Sequence, residues 1–306
     1  MNLLDDRRPD RREAALDLLD ALAEARAGES TPRVGVTGAP GAGKSTLLDA
    51  LVRAIRQRNE TVGIVAVDPS SQRTGGALLG DRFRVRAGAD DSGVFLRSMA
   101  ARERLGGLAD GTWAAVTVLS TVFERVFVET VGVGQSESDV ANLVDTLLFV
   151  AQPGAGDVLQ FMKAGVLELP DLFVVNKADL GAPAERTAAE LEAGLGLGED
   201  DRAGFGLRVL RASARDGTGV DAVLEALDAH RRHLLETNAL GERRDRARRA
   251  LVLDGVRSRY GSYGLDALGG RSAVELRIAQ ASGSSPFGLL RELGREIEDT
   301  LRKPAG

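Results

Sequence analysis

The sequence predicts an α/β fold in which a mostly parallel sheet is covered by helices on both faces. Apolar, largely β-branched runs recur at 33–37, 61–67, 126–128, 146–151, 171–175 and 207–210. Helical patterns fall between them, at 44–58, 107–122, 136–144, 156–168, 184–195 and 219–236. Strands that are apolar on both faces and alternate with helices belong to sheets buried on both sides.

In chain order, the first element is a lead-in helix. Residues 11–27, "RREAALDLLDALAEARA", set Ala15, Leu18, Leu19 and Leu22 at helical spacing and stop near Gly28. The strand–helix alternation then runs to about residue 237. Beyond it the pattern changes to helices alone. "GERRDRARRALVLDGVRSRY" carries one apolar stripe among arginines, and "SGSSPFGLLRELGREIEDTLRK" gives a break followed by an amphipathic helix. The expected organisation is an N-terminal helical segment at 1–30, a nucleotide-binding domain at 31–237 and a helical arm at 238–306.

Composition limits the function classes. The 306 residues are long enough for a substantial core. A net charge of −5 gives no general electrostatic case for nucleic acid or an anionic membrane. With no cysteine, thiolate metal sites and cysteine nucleophiles are excluded. The start, "MNLLDDRRPDRREAALDLLD", lacks the apolar core of a signal peptide, and no run approaches the ~18 apolar residues of a membrane span. A cytoplasmic protein is expected.

"GAPGAGKS", Gly38–Ser45, is a full G-x-x-x-x-G-K-[ST] match between a predicted strand and a predicted helix. Such a loop curls so that backbone N–H groups face phosphate oxygens, which marks Gly38, Ala39, Pro40, Gly41, Ala42, Gly43, Lys44, Ser45 and Thr46 as nucleotide-binding. Lys44 would reach the β- and γ-phosphates, and Ser45 would hold Mg²⁺. "NKAD", residues 176–179, follows another strand. The Asp179 carboxylate can accept from both N1–H and the N2 amine of guanine, a pair that adenine does not offer. Asn176 and Lys177 would brace the base loop. In "SAR", Ser213 and the Ala214 N–H lie after the next strand, with the amide placed to meet guanine O6.

Two further strand ends carry acids, Asp68 and Glu129. Ligands of open α/β sheets bind at the carboxyl ends of strands, so both are candidates for the Mg²⁺ site. "VETVGVGQSESD" then reads as a switch loop, with Gly132 offering its N–H to the γ-phosphate and Gln135 a candidate for orienting water. His230 and His233 share one helix face, and two imidazoles without a third ligand make a poor metal site, so a solvated helix end is expected. The arginine run 243–249 is expected to be a solvated face or a dimer contact.

The order and spacing of "GAPGAGKS", "VAVDPSSQRTGGALLGD", "RSMA", "LGGLA", "VETVGVGQSE", "PGAGDVLQFMKAG" and "VNKAD" resemble the MeaB/ArgK family of P-loop GTPases, which is similar to the methylmalonic aciduria type A protein. The resemblance covers roughly residues 15–240. It implies a homodimeric GTPase that uses GTP and Mg²⁺. It also implies a role as chaperone to an adenosylcobalamin-dependent acyl-CoA mutase, first of all methylmalonyl-CoA mutase, gating cobalamin loading and protecting the mutase. Hydrolysis would be slow alone and stimulated by that partner. The family's metal-site acids fall on Asp68, Asp81 and Glu129, and its partner-signalling loop on 152–163, with Asp157 and Lys163 coupling hydrolysis to the client. The chain departs from the family pattern at Glu103 and Arg104, which leaves the identity of the client open. A metal-delivery GTPase of the nickel-chaperone type and a kinase linked to amino-acid transport are the competing readings. No nucleic acid or membrane partner is expected.

Overall fold

The computed structural model describes residues 8–25, 31–68, 91–100, 110–130, 136–154, 168–196, 205–206, 208–281 and 285–302. Helix α1 (Pro9–Ala25) precedes the α/β body. That body runs β1 (Arg33–Thr37), α2 (Lys44–Gln57), β2 (Val62–Asp68), β3 (Val94–Ala100), α3 (Asp110–Val122), β4 (Arg125–Thr130), α4 (Ser136–Leu143), β5 (Thr146–Ala151), β6 (Leu172–Val175), α5 (Ala182–Gly194), β7 (Arg208–Arg211) and α6 (Val220–Glu236). Helices α7 (Ala239–Ala267), α8 (Arg271–Gln280) and α9 (Pro286–Arg302) follow.

The seven strands form one sheet in the order β3-β2-β4-β1-β5-β6-β7, and every pairing is parallel. The two-residue period of a strand divides its side chains between the faces. Val34, Val36, Phe127, Leu148 and Val150 point to the face covered by α2 and α6. Val126, Val128, Val140, Leu143 and Leu147 form the core on the other face, under α3 and α4. Phe149 and Phe173 extend that second face beneath α5. The parity decides where Glu129 goes. It shares a face with Phe127 and so points toward α2, whose first residues close the phosphate loop.

Strand β3 is missing from the sequence expectations. It lies at the edge of the sheet, and Phe95, Leu96 and Ser98 are exposed, so it lacks the continuous apolar signature of a covered strand. The predicted helix at 156–168 lies outside the described residues except for its last position.

The last three helices build a separate core. Leu251, Val252 and Val256 of α7, Val274 and Ile278 of α8, and Leu290, Leu293 and Ile297 of α9 pack with Leu19 of α1 and Ala114 of α3. Close approach of α7 and α9 depends on Gly255, where a Cβ would stand 2.7 Å from Leu290 Cδ2. The helical reading of 241–260 holds, and α7 bends just past it, at Gly261 (φ 66°, ψ −153°). Helix α8 was not anticipated.

The arginine run of α7 is an internal clamp rather than a purely solvated face. Arg243 forks onto Asp171 at 2.6 and 2.9 Å, and Arg244 forks onto Asp145 at 2.8 and 3.0 Å. Arg244 also donates to the Thr31 carbonyl at 2.9 Å. Asp145 is buried and accepts the Arg33 N–H as well, at 3.0 Å. Burial pushes its carboxyl up, yet the Arg244 hydrogen bonds and charge outweigh this and hold it below the ordinary aspartate value. Replacing Asp145 by alanine would leave the half-buried Arg244 guanidinium and the Arg33 amide without this partner. The expected loss is about 3 kcal/mol of folding free energy, read from the denaturant midpoint.

His230 corrects the expectation of a solvated helix end. It sits at the inner face of α6 with 3% exposure, and its Nδ1 lies 2.8 Å from the Thr146 hydroxyl. Phe205 packs edge-on against the ring at 4.9 Å. Burial lowers its pKa to about 4, although the Asp171 carboxylate pulls the other way. Because the folded value lies below the unfolded one, stability is fully present above pH 6.5 and is lost as pH falls from there toward about 4. Across that window His230 should contribute a slope of about 1.4 kcal/mol per pH unit. Comparison of urea midpoints for the natural chain and His230→Gln isolates it, because the variant lacks this part of the acid sensitivity.

Candidate functional site: the nucleotide end of the sheet

The loop from β1 to α2 is shaped by glycines that other residues could not replace. Gly38 takes φ 137°, and a Cβ there would stand 2.1 Å from the Val150 carbonyl oxygen. Gly43, the residue before α2, takes φ 86°, with a Cβ 2.5 Å from Asn176 Nδ2. Both positions combine a left-handed backbone with no room for a side chain. Lys44 is buried and folds across the loop, its Nζ donating to the Gly38 and Ala39 carbonyls at 2.8 and 2.9 Å. Pro40, Gly41 and Thr46 are exposed, while Ala42 is buried under the loop.

Next to the loop, Ser45 Oγ donates to Glu129 Oε1 at 2.6 Å. Glu129 is 5% exposed, and its other oxygen, Oε2, is buried without a hydrogen-bond partner. Burial pushes its pKa above the ordinary value, opposed by the Ser45 hydrogen bond and the Lys44 charge. A buried carboxyl oxygen without a hydrogen-bond partner calls for a ligand. Carboxylate and hydroxyl oxygens side by side at a phosphate loop form the donor set of a hard divalent cation, so these residues fit Mg²⁺. Asp68 ends β2, beside β4, where Ala66 pairs with Glu129 and Val67 with Thr130, so its backbone reaches the same edge. Asp81, Gly132, Gln135, Asp157 and Lys163 lie outside the described residues.

The base loop is tied to the phosphate loop. Asn176, buried at the end of β6, donates from Nδ2 to the Ala42 and Gly43 carbonyls at 3.0 and 3.2 Å. Lys177 takes a left-handed conformation (φ 58°), which turns its side chain back over the loop. Its Nζ donates to the Gly41 carbonyl at 2.8 Å and to Gln152 Oε1 at 2.9 Å. Asp179 accepts from the Ser213 hydroxyl at 2.9 Å, with the exposed Arg215 at 3.7 Å from its second oxygen. The carboxylate is therefore oriented by one buried partner and keeps an oxygen available to a ligand.

One expected contact differs. The Ala214 N–H donates to Asn176 Oδ1 at 3.2 Å. With Asn176 Nδ2 held by the loop carbonyls, its carbonyl oxygen is turned to that amide. Gln152 was not singled out in the sequence. Its signal is its position as the first polar residue after the apolar run of β5, at the carboxyl end of the sheet.

The family described as "Methylmalonyl Co-A mutase-associated GTPase MeaB" matches residues 1–261. This chain belongs to the MeaB family. A protein of Pyrococcus horikoshii named as a GTPase is 45% identical over 214 residues, which is 69% of this chain and 67% of that protein. The mitochondrial methylmalonic aciduria type A homolog of Mus musculus is 35% identical over 217 residues, 70% of this chain and 52% of that protein. Among solved structures, one titled LAO/AO transport system kinase aligns with a TM-score of 0.65 and 26% identity, covering 97% of this chain and 91% of that one. Membership in a GTPase family gives the MeaB-family protein a guanine nucleotide as its ligand, in agreement with the fold and the "GAPGAGKS" and "NKAD" loops. No helix among the described residues is long and apolar enough to cross a membrane.

Proposed function

We propose that this MeaB-family protein is a GTPase that chaperones an adenosylcobalamin-dependent acyl-CoA mutase, with methylmalonyl-CoA mutase the first client to test. In this reading GTP hydrolysis is slow in the isolated chain and stimulated by the client. The GTP-bound state gates cobalamin loading and protects the mutase. The family match over residues 1–261 carries the client assignment. The Asn176 hydrogen bonds to the Ala42 and Gly43 carbonyls, which tie the end of β6 to the loop before α2, support the nucleotide assignment.

The geometry supports the roles of Lys44, Ser45, Glu129, Asn176, Lys177, Asp179 and Ser213, and the family resemblance supports the others. Lys44 Nζ gives up the Gly38 and Ala39 carbonyls for phosphate oxygens, and the N–H groups of residues 41–46 line the same cradle. Ser45 and Glu129 would hold Mg²⁺, with Asp68 and Asp81 as the further acids. When bound, Mg²⁺ neutralises charge on the β- and γ-phosphate oxygens. Asp179 selects guanine, Asn176 and Lys177 brace the base loop, Ser213 orients Asp179, and the Ala214 amide turns from Asn176 to guanine O6. Gly132 senses the γ-phosphate through its N–H. Gln135, or Lys163 brought inward by the partner, completes the site for the attacking water, and Asp157 and Lys163 report to the client. Residues 238–306 form the arm of a homodimer, appended to a GTPase domain at 31–237 and a helical segment at 1–30, in the cytoplasm.

Sedimentation of the full chain with purified methylmalonyl-CoA mutase tests the partner. A complex that forms with a non-hydrolysable GTP analogue, and whose stability changes when GDP replaces it, is expected. Failure to form a complex in either nucleotide state would sink the client assignment and leave the nucleotide site intact.

A further inference from the structure

At the edge of the sheet opposite the nucleotide site, α4, α6 and α7 surround a cavity of about 440 Å³. Small-molecule pockets run from roughly 300 to 1,000 Å³. Leu147, Leu234 and the buried face of His230 line its interior, and the Phe205 ring stands at its side. Glu168 and His233 also line it, and the deeper charges Arg243 and Asp171 are committed to each other. Arg243 forks onto Asp171, and Asp171 also accepts the Leu147 N–H at 2.8 Å.

The charges at its mouth are not. Glu242 and Arg246 both line the cavity and are both exposed. They stand one turn apart on α7, the spacing at which opposite charges usually close on each other. Neither makes a hydrogen bond or ion pair among the described residues. Across the opening, the half-buried Asn142 of α4 presents an amide that likewise has no hydrogen bond among the described residues. An apolar wall of Leu147, Leu234 and Phe205, beside an anion, a cation and an amide that have no partner among the described residues, matches a small zwitterion with an apolar body.

We propose that this cavity binds an apolar α-amino acid. Its carboxylate takes the Arg246 guanidinium and the Asn142 amide N–H₂, its ammonium takes Glu242, and its side chain fills the space against Leu147, Leu234 and Phe205. An arginine fork suits a carboxylate, and apolar contact supplies the non-directional part of the affinity. A ligand held there ties α4, the helix that follows β4 in the chain, to α7. The proposal rests on this cavity alone and stands apart from the mutase assignment.

The test is titration calorimetry of the full chain with L-leucine, with isocaproate, which lacks the ammonium, and with isoamylamine, which lacks the carboxylate. Leucine should bind saturably at one site, and each analogue should be weaker by about tenfold or more, the cost of one charged hydrogen-bond group. Arg246→Gln and Glu242→Gln should each weaken leucine by about tenfold. Both positions are exposed, so the variants should melt with the natural chain, which separates lost binding from lost fold. Absence of saturable binding by leucine, methionine and phenylalanine overturns the proposal. So does isocaproate binding as tightly as leucine, or leucine binding that neither variant weakens.

Discussion

Asp179→Asn should move the base preference from guanine to xanthine. The aspartate is held by the Ser213 hydroxyl at 2.9 Å and keeps its second oxygen available. As a carboxylate it accepts from guanine N1–H and from the N2 amine together. Asparagine keeps one acceptor and turns the other position into a donor, which faces the guanine amine with a second donor. Xanthine carries a carbonyl there, so the same amide satisfies it. Loss of a charged hydrogen bond and a donor–donor clash should weaken GTP by about 10²–10⁴-fold, while XTP gains. Nucleotide displacement assays with GTP, XTP and ATP on the natural chain and the variant read this directly. GTP affinity within a few-fold of the natural chain would remove Asp179 from the base site.

The second large effect is expected at Lys44. Its ammonium is buried within the loop, 2.8 and 2.9 Å from the Gly38 and Ala39 carbonyls, already pointed into the cradle. Phosphoryl transfer has little covalent chemistry for the protein to do, so a positioned cation is a main source of rate. Lys44→Ala should cut GTP turnover by about 10²–10³-fold. The variant also orphans two loop carbonyls, so its folding should be checked by thermal unfolding with and without nucleotide. Lys44→Arg separates charge from placement, because the larger fork cannot occupy the same narrow space. Turnover in Lys44→Ala that matches the natural chain would contradict the assignment of the loop.

Much of the fold could be read from the strands because a doubly covered sheet leaves a plain mark. "TLLFVA" and "DLFVV" have no polar residue after their first position, and both are buried strands. β3 escaped because an edge strand need not be apolar. The phosphate loop was legible because Gly38 and Gly43 occupy backbone positions that only glycine fills, next to a lysine and a hydroxyl. Distance in sequence hid the rest. Arg243 meets Asp171 across 72 residues and Arg244 meets Asp145 across 99, and nothing local to "GERRDRARR" announces either partner. His230 carries a local signal for burial. It shares the buried face of α6 with Val223, Leu227 and Leu234, at spacings that place it inward. Gln152 carries a positional signal at the end of β5, but its partner Lys177, 25 residues on and in a left-handed turn, is not visible locally.

The most direct test of the central claim is turnover of GTP by the full chain, measured alone and with purified methylmalonyl-CoA mutase, with ATP as the control. Slow hydrolysis selective for GTP and accelerated severalfold by the mutase is the predicted result. GTP turnover that stays the same with the mutase present, or a preference for ATP, would contradict it.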